Sequence, residues 1–465
     1  MFKRTKIIAT LGPACARPEI ISQMITAGVD VFRLNMSHGD QATHGINMAM
    51  VRAAGVAARR PIGVLADLQG PKIRTGKLKG GGPVEWKDGA RTIITIAPWP
   101  EGTADKVQTI YAGLVKDVKA GDALLVDDGK MRLRVEKIDG DDIHCLIEAG
   151  GLLKNSKGIN LPGVRVSAPP LSEKDLSDLA WACGQKVDFV ALSFVHCADD
   201  IIDLKRRMAE LGYVAAVVAK IELPEAVDDI EAISRESEAI MVARGDLGIE
   251  IGPEWLPMVQ KDLIRAVNRH GRVVITATQM LESMIELPMP TRAETTDVAN
   301  AIIDGSDAVM LSGETASGKY PLEAVATMAR LAVVAERSSY LVRVQPDRTR
   351  EEGFPQELGA LGRAAIMLSE ERRAAAVVVA DGDPRLVRLL CEGRGRAPIL
   401  VCCKDEAEAR RLILYWGVFP LVGTGDNSVT SLVDLARSMN LLESGDEVLV
   451  VHRKPQDSIT MLRFW

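Results

Sequence analysis

Eight short apolar runs, each ending in polar or glycine-rich residues, constrain this chain more than any other feature. Three lie within the first 70 residues, and five follow after a long gap. They begin at Ile7, Asp30, Ile62, Phe189, Val217, Ile240, Val273 and Ala308. Short strands that are apolar throughout and separated by helical stretches predict parallel βα units. Eight such units predict a closed (β/α)8 barrel of the TIM type, within the α/β class.

The polar residues at the ends of these runs predict where the chemistry occurs. In (β/α)8 barrels the reactive groups gather at the carboxyl ends of the strands. Here those ends supply Arg33, Asn35, Asp67, Lys220, Glu222, Asp246 and Thr278. Carboxylates suit a divalent metal, and a fixed guanidinium suits a phosphoryl group. The set therefore predicts a site for a divalent metal and an anionic, phosphorylated substrate.

The gap between the third and fourth runs predicts an inserted domain. Residues 71–169 are rich in glycine and in short alternating segments, and Asp127 to Lys130 has the composition of a hairpin turn. We expect a small β-barrel domain inserted in a βα loop, where it can act as a lid over the site. The catalytic barrel would then comprise residues 1–70 and 170–343.

The remaining residues, 344–465, predict a second α/β domain. Apolar runs begin at Ala376, Ile399 and Val448, with helical stretches between them. This pattern is typical of a small doubly wound domain. Because it lacks a glycine-rich dinucleotide fingerprint, a regulatory or assembly role is favoured over cofactor chemistry.

Composition excludes several classes of partner. The net charge of −6 and the pI near 5.7 argue against a general nucleic-acid binder. No apolar stretch is long enough to span a bilayer, and we predict no membrane association. The seven cysteines show no metal-type spacing. We expect a cytoplasmic protein.

Seven segments together resemble the pyruvate kinase family, and the resemblance covers nearly the full chain. Their order and spacing carry it, at residues 5–13, 32–39, 67–76, 220–222, 244–248, 277–284 and 312–316. It implies phosphoryl transfer from phosphoenolpyruvate to ADP, giving pyruvate and ATP, the last step of glycolysis. It also implies Mg²⁺ or Mn²⁺ as cofactor and an allosteric homotetramer with Arg292 near a subunit boundary.

The residue types agree with this chemistry. Glu222 and Asp246 are hard oxygen ligands for Mg²⁺. Lys220 lies two residues from Glu222, so both side chains share one face of a strand, and its ammonium can stabilise the phosphoryl group and the enolate. Arg33 offers a fork for the phosphoryl group. N–H groups of Gly245 and Asp246 can hold the substrate carboxylate.

Other roles follow from the resemblance alone. Thr278 matches the family residue near the enolate carbon, where a proton arrives after transfer, and Ser312 belongs to the same relay. The nucleotide phosphates would be contacted by Asn35, His38, Arg74 and Lys157. Two of these residues have simpler interpretations. His38 could serve only to form a turn, and Lys157 could be a solvated lysine of a loop.

Two departures from the family pattern lead to further predictions. Many members hold K⁺ with Asn, Ser, Asp and Thr side chains, with a Glu nearby. Asn35, Ser37 and Asp67 are present, but Leu68 replaces the Thr and Lys72 replaces the Glu. Since an ammonium can take the electrostatic role of a monovalent cation, we predict that K⁺ is not required. The alternative is that Lys72 points to solvent and K⁺ still binds weakly.

The second departure concerns the effector loop of the carboxyl-terminal domain. In members activated by fructose 1,6-bisphosphate a Ser/Thr- and Gly-rich loop cradles a phosphate. Here residues 380–385 include Asp381 and Asp383, whose carboxylates would repel a phosphate. The second effector loop, within residues 451–458, is short. We predict no binding of fructose 1,6-bisphosphate at this site.

Two other functions compete with the kinase. One is a different Mg²⁺-dependent barrel acting on phosphoenolpyruvate or pyruvate enolates, such as a mutase or a carbon–carbon lyase. The other is a catalytically silent relative kept as a scaffold. The lid with Arg74 and Lys157 favours the kinase over the former, and intact Arg33, Lys220 and Glu222 argue against the latter.

Overall fold

The computed structural model describes residues 3–341, 356–380, 382–423, 429–452 and 458–463. Its first elements are three strands and two helices of a barrel. These are β1 (Lys6–Thr10), α1 (Pro18–Ala27), β2 (Val31–Asn35), α2 (Gln41–Ala57) and β3 (Gly63–Asp67).

An inserted β domain follows the third strand. It consists of β4 (Val84–Trp86), β5 (Arg91–Thr95), β6 (Lys106–Gln108), α3 (Leu114–Asp117), β7 (Ala123–Val126), β8 (Met131–Asp139), β9 (Asp142–Ala149), β10 (Gly151–Leu153) and β11 (Ile159–Asn160). Six of the strands form one sheet in the order β11-β7-β8-β9-β5-β6, and β10 pairs with β4. The predicted hairpin turn joins β7 to β8, where Asp127, Asp128 and Gly129 have φ angles of 56°, 57° and 80°. This domain buries a hydrophobic cluster of its own.

The chain then returns to the barrel through five more strands. The elements are α4 (Glu173–Gln185), β12 (Phe189–Leu192), α5 (Ala198–Glu210), β13 (Ala216–Ile221), α6 (Pro224–Asp228), α7 (Ile230–Glu236), β14 (Ala239–Ala243), α8 (Arg244–Ile251), α9 (Leu256–Arg269), β15 (Val273–Ala277), α10 (Arg292–Asp304), β16 (Ala308–Leu311), α11 (Gly313–Ala316) and α12 (Pro321–Ala335). The eight strands close in the order β1-β16-β15-β14-β13-β12-β3-β2, and every pair is parallel. The predicted (β/α)8 barrel is confirmed.

The carboxyl-terminal domain is a five-stranded sheet with helices. It comprises α13 (Gln356–Arg372), β17 (Ala376–Val379), α14 (Pro384–Glu392), β18 (Ile399–Cys403), α15 (Glu406–Leu412), β19 (Val418–Val422), α16 (Val429–Ser438), β20 (Glu447–His452) and β21 (Ser458–Arg463). The order is β19-β18-β17-β20-β21, with β21 antiparallel, and the predicted doubly wound α/β domain is confirmed. Sequence analysis missed β19, which contains Pro420. A proline is tolerated there because β19 is an edge strand. No helix in the described ranges is long and apolar enough to cross a membrane.

A ring of carboxylates closes the amino-terminal end, or floor, of the barrel. An acidic residue immediately precedes every second strand of the barrel and accepts the N–H of the second residue of a neighbouring strand, each time at 2.8 Å. The four pairs are Asp30 with Ile7, Asp188 with Val64, Glu238 with Val217, and Asp307 with Val274. Each carboxylate therefore fixes the start of one strand against the next.

The carboxyl-terminal domain is anchored on this floor. Arg394 pairs with the buried Asp307 at 2.7 Å, and Arg410 pairs with Asp188 at 2.9 Å. Ile413 and Leu414 pack into the hydrophobic cluster inside the barrel. Because this end is closed by the second domain, the carboxyl ends of the strands are left as the accessible end.

Glu250, near the end of α8, joins the inserted domain to the barrel. Its Oε1 accepts a hydrogen bond from the Asn160 side-chain amide at 3.2 Å, and the Leu161 N–H also donates to its carboxylate. Burial raises the pKa of Glu250 to about 7, and the negative charges of Asp246 and Glu225 act in the same direction. This carboxyl group thus titrates near neutrality.

We expect Glu250→Gln to stabilise the protein at high pH only. Because the pKa is higher in the folded protein than the ordinary value of 4.5, the folded state binds the proton more tightly. The stability contributed by the protonated group is complete below that ordinary value and is lost as the pH rises through about 7. The amide stays neutral, so in metal-free buffer the variant should melt roughly 2–6 °C above wild type at about pH 8 and within about 1 °C of it at about pH 5. Calorimetry measures both.

Glu254→Gln is the matched control, since Glu254 is exposed on the turn after α8. Its melting temperature should differ from wild type by the same amount at both pH values. An equal difference for Glu250→Gln at both pH values would contradict the assignment of a raised pKa.

Candidate active site

A cleft of about 610 Å³ lies at the carboxyl ends of the barrel strands. Most of the predicted site residues line it: Arg33, Asn35, Ser37, His38, Asp67, Lys72, Arg74, Lys220, Glu222, Asp246, Thr278 and Ser312. Two predicted residues, Gly245 and Lys157, are not among the lining residues. The topology brings these groups together because β2, β3, β13, β14, β15 and β16 all end at this rim.

Lys220 is at the centre of the polar contacts in the cleft. Its Nζ lies 2.6 Å from Ser193 Oγ, 2.9 Å from Glu222 Oε1 and 3.4 Å from Asp67 Oδ1. Asp67 also accepts a hydrogen bond from Arg33 Nε at 2.6 Å. Two cations and two carboxylates are therefore held together, all of them at most 9% exposed.

The charge states follow from this arrangement. Burial alone would raise the pKa of Asp67, but Arg33 and Lys220 outweigh it and hold that pKa below the ordinary value. Burial alone would lower the pKa of Lys220, but Asp67 and Glu222 outweigh it and raise that pKa. Lys220 is consequently an ammonium at neutral pH.

Glu222 and Asp246 form a pair of carboxylates suited to a divalent cation. Burial raises the pKa of Glu222, and the negative charge of Asp246 adds to the effect. Repulsion between the two would be relieved by a cation between them. Within the described part of the chain, no three His, Cys, Asp or Glu side chains cluster as metal ligands. Two carboxylates nevertheless fit Mg²⁺, which fills its other positions with water and substrate oxygens.

The segment after β15 is strained. Thr278 and Gln279 have φ angles of 69° and 52°, which are unusual for residues other than glycine and an outlier for the β-branched Thr278. Arg244 supports the turn by donating to the Thr278 carbonyl oxygen at 2.7 Å. The Gly245 N–H donates to Thr278 Oγ1 at 2.8 Å. One of the two N–H groups predicted for the substrate carboxylate is thus already bonded to a side chain of the site.

Ser312 lies at the same rim, after β16. Its N–H donates to Glu314 Oε2 at 2.7 Å, and the other oxygen of Glu314 accepts the Leu281 N–H at 3.0 Å. Glu314 is fully buried. It therefore ties the loop after β15 to the loop after β16, which carry Thr278 and Ser312 respectively.

The opposite side of the cleft carries positive charge. Partial burial lowers the pKa of His38, and the charges of Arg74, Lys72 and Arg33 lower it further. His38 is neutral at neutral pH for this reason. Arg74 donates to the carbonyl oxygen of Ser156 in the inserted domain at 3.1 Å.

Lys157 has a partner elsewhere. Its Nζ lies 2.7 Å from Asp127 Oδ1 at the hairpin turn of the inserted domain. No pattern in the sequence predicts this contact. Ser193 and Phe194, which line the cleft after β12, were also not among the predicted site residues. The only signal for Ser193 was its position at the polar end of the fourth apolar run.

Two family models match the chain. The pyruvate kinase barrel domain matches residues 2–325, and the pyruvate kinase alpha/beta domain matches residues 359–461.

Individual relatives agree. A pyruvate kinase of Mycobacterium intracellulare is 43% identical, over 99% of this chain and 97% of its own. One of Geobacillus stearothermophilus is 40% identical, over 98% of this chain and 78% of its own. The crystal structure of a pyruvate kinase from Cryptosporidium parvum superposes with a TM-score of 0.91 at 35% identity, over 99% of this chain and 96% of its own. Since two family models and full-length relatives agree with the barrel and its cleft, the chain belongs to the pyruvate kinase family.

Proposed function

We propose that the chain transfers the phosphoryl group of phosphoenolpyruvate to ADP, producing pyruvate and ATP. The observation that carries this proposal is the Lys220 ammonium, which lies between Asp67 and Glu222 and within the same cleft as Arg33. Phosphoryl transfer depends on positioning and on neutralising charge, and this arrangement supplies both.

Arg33 and Lys220 bind the transferring phosphoryl group. Arg33 Nε is fixed by Asp67 and its Nη1 by Thr10 Oγ1 at 3.1 Å, so the guanidinium plane is held before substrate arrives. Lys220 neutralises charge on the phosphoryl group and on the enolate oxygen that transfer leaves behind. Both cations are nearly buried, which strengthens their interaction with an anion.

Glu222 and Asp246 would hold Mg²⁺, the metal that the family generally uses. When bound, the cation would polarise substrate oxygens and offset the repulsion between the two carboxylates. The Phe194 N–H, which donates to Glu222 Oε2 at 2.8 Å, keeps that carboxylate directed at the cleft.

The substrate carboxylate is assigned to the N–H groups at the start of α8. Gly245 N–H is bonded to Thr278 Oγ1, so substrate binding would release this hydroxyl. Thr278 would then be free to take part in delivering a proton to the enolate carbon, with Ser312 in the same relay. The Thr278 hydroxyl donates to the Ala277 carbonyl oxygen at 2.6 Å, and this is the proton that the proposed relay would redirect.

The nucleotide phosphates are assigned to Asn35, His38 and Arg74, on the cationic side of the cleft. Lys157 would join them by exchanging Asp127 for a phosphate, which requires residues 71–169 to move as a lid.

The alternatives, a mutase or lyase on the same substrate and a silent scaffold, are disfavoured by the pyruvate kinase relatives and by the complete set of charged residues. A cytoplasmic location is part of the proposal, and all seven cysteines are unpaired, as in a reducing compartment.

K⁺ independence is proposed from the surroundings of Lys72. Lys72 lines the same cleft as Asn35, Ser37 and Asp67, and its charge contributes to the lowered pKa of His38. Within the described part of the chain its ammonium has no carboxylate partner. An ammonium here occupies the region that a monovalent cation would otherwise neutralise.

We expect pyruvate formation to require phosphoenolpyruvate, ADP and Mg²⁺ together, at rates that agree within about twofold in K⁺ and in tetramethylammonium buffers. Lys72→Glu should lose at least about tenfold in tetramethylammonium and recover in K⁺, because the new carboxylate needs a counterion. Initial rates at equal ionic strength measure both effects.

Lys77→Glu, which makes the same charge change on an exposed residue of the inserted domain, should remain K⁺-independent. Wild-type activity only in K⁺ would overturn the role of Lys72 and leave the kinase standing. Pyruvate formation without ADP would overturn the kinase and support the lyase.

Fructose 1,6-bisphosphate is proposed not to bind at the usual effector site. Asp381 and residues 453–457 of the two effector loops lie outside the described residues. Of the rest, Asp383 accepts the Arg385 N–H at 2.9 Å and pairs with its guanidinium at 3.3 Å. The carboxylate thus neutralises an arginine that could otherwise attract a phosphate.

Calorimetric titration with fructose 1,6-bisphosphate should give no saturable heat up to about 1 mM, because the loop offers carboxylates where a phosphate needs donors. Asp383→Ser is the positive comparison and should bind more tightly than wild type. Micromolar binding by wild type that is lost in Arg385→Ala or Arg453→Ala would contradict the proposal.

A homotetramer is proposed from the family and from exposed apolar side chains. Leu287 and Met289, just before Arg292, are 55% and 74% exposed. Trp255 and Met258, at the start of α9, are 63% and 55% exposed. Large exposed apolar side chains on these two segments are typical of an interface with another copy.

Light scattering should give a mass four times the 50.2 kDa of one chain. Met289→Lys should shift the protein toward smaller species, since a buried ammonium would lack a partner at the interface. Val56→Lys, on the outer face of α2 and 79% exposed, is the control and should leave the mass unchanged. A wild-type monomer would contradict the assembly.

A further inference from the structure

We propose that Ser193 is the positioning residue that orients the Lys220 ammonium toward the transferring phosphoryl group. This inference rests on the proposed phosphoryl transfer. Ser193 follows β12, between the strand ends that carry Asp67 and Lys220, and is 2% exposed. Its Oγ lies 2.6 Å from Lys220 Nζ, the shortest of the three contacts that this ammonium makes.

The direction of each hydrogen bond is fixed. A serine hydroxyl has one proton to donate and two lone pairs, whereas an ammonium only donates. Ser193 Oγ therefore accepts from Lys220, and its own proton goes to the Leu68 carbonyl oxygen at 2.7 Å rather than to Asp67 Oδ1 at 3.4 Å. The Leu68 carbonyl, directly after β3, thus orients the hydroxyl, and the hydroxyl orients the ammonium.

Of the three partners of Lys220, Ser193 is the one that is shared with no other cation or proposed ligand. Asp67 is shared with Arg33, and Glu222 is assigned to the metal. The neutral hydroxyl is assigned to no ligand, so it can keep one N–H of Lys220 in place while the contacts to Asp67 and Glu222 are exchanged for substrate.

The backbone around Ser193 is fixed by a strained φ angle, a hydrogen bond and close packing. Phe194 has φ of 54°, a strained value for a bulky residue, and its N–H is bonded to Glu222. Gly70 packs against this turn so closely that a Cβ there would lie 3.0 Å from Ser193 Cβ and 2.8 Å from Phe194 Cδ2. One strained turn therefore sets both Lys220, through Ser193, and Glu222, through the Phe194 N–H.

Ser193→Ala should lower kcat for ADP-dependent pyruvate formation by roughly 30- to 300-fold, because the Lys220 ammonium is no longer held in its orientation toward the phosphoryl group. The calorimetric Kd for ADP should change less than about twofold, because the proposed nucleotide contacts are elsewhere. The KM for phosphoenolpyruvate should change by no more than about threefold, because Arg33 still binds the phosphoryl group and Ser193 is not itself a substrate contact.

Ser306→Ala is the matched control. Ser306 is a fully buried hydroxyl bonded to Thr276 Oγ1 at 2.7 Å, away from the cleft. It should lose stability without a change of more than about twofold in kcat or in the KM for phosphoenolpyruvate. Ser193→Cys keeps the shape with a weaker acceptor and should give an intermediate kcat; it carries the test if Ser193→Ala does not fold.

Wild-type kcat in a folded Ser193→Ala or Ser193→Cys protein, or a loss confined to the KM for phosphoenolpyruvate, would overturn the role of Ser193. Equal losses of kcat in Ser306→Ala would also overturn it, since a general effect of removing a buried hydroxyl would then suffice. Absence of ADP-dependent activity in wild type would instead overturn the proposed function, so the two failures are distinct.

Discussion

The four carboxylates at the floor of the barrel are the constraint on which the rest of the structure depends. Each accepts the N–H of the second residue of a neighbouring strand, so the pairing of four strand pairs is fixed at its start. Buried carboxylates need cations, and the carboxyl-terminal domain provides two of them in Arg394 and Arg410. The charges that fix strand pairing thus also attach the second domain. The opposite end of the barrel is thereby left for chemistry.

At that opposite end, several of the charges are paired before any ligand arrives. Asp67 neutralises Arg33 and shares Lys220 with Glu222, and Asp127 neutralises Lys157. Even an N–H assigned to the substrate, that of Gly245, is bonded to Thr278. For these groups, ligand binding is an exchange of partners rather than the filling of unpaired groups. This arrangement avoids the cost of buried, unsatisfied charge in the free protein and still directs each group at the cleft.

The sequence predicted those parts that local patterns determine. Runs that are apolar on both faces predicted the eight strands, and the composition of the turn predicted the hairpin at Asp127. Pro420 hid β19, because a proline argues against a strand unless the strand is known to lie at an edge, and position in a sheet is a tertiary property. The floor carboxylates left a visible signal, an acid directly before alternate strands, as at Asp307. Its meaning requires knowing which strands are neighbours.

The same distinction applies to the candidate site: some of its residues can be recognised from the sequence, and others only from the three-dimensional structure. Residue types identified Lys220 and Glu222 because their chemistry is distinctive, whereas Ser193 is an ordinary serine until its distance to Lys220 is known. The pairing of Lys157 with Asp127 likewise depends on how the inserted domain folds.

The departures from the family pattern occur where the fold tolerates them. Leu68 and Lys72 lie after β3, in the segment that leads into the inserted domain, and not on the strand itself. Arg33, Lys220 and Asp67 are placed by strand ends whose pairing the barrel fixes. A change of charge at position 72 therefore alters the field in the cleft without moving the groups proposed to contact the phosphoryl donor. Under the proposed function, strand ends that carry Arg33 and Lys220, with a connecting segment that carries Lys72, would allow the counterion requirement to change while the chemistry is retained.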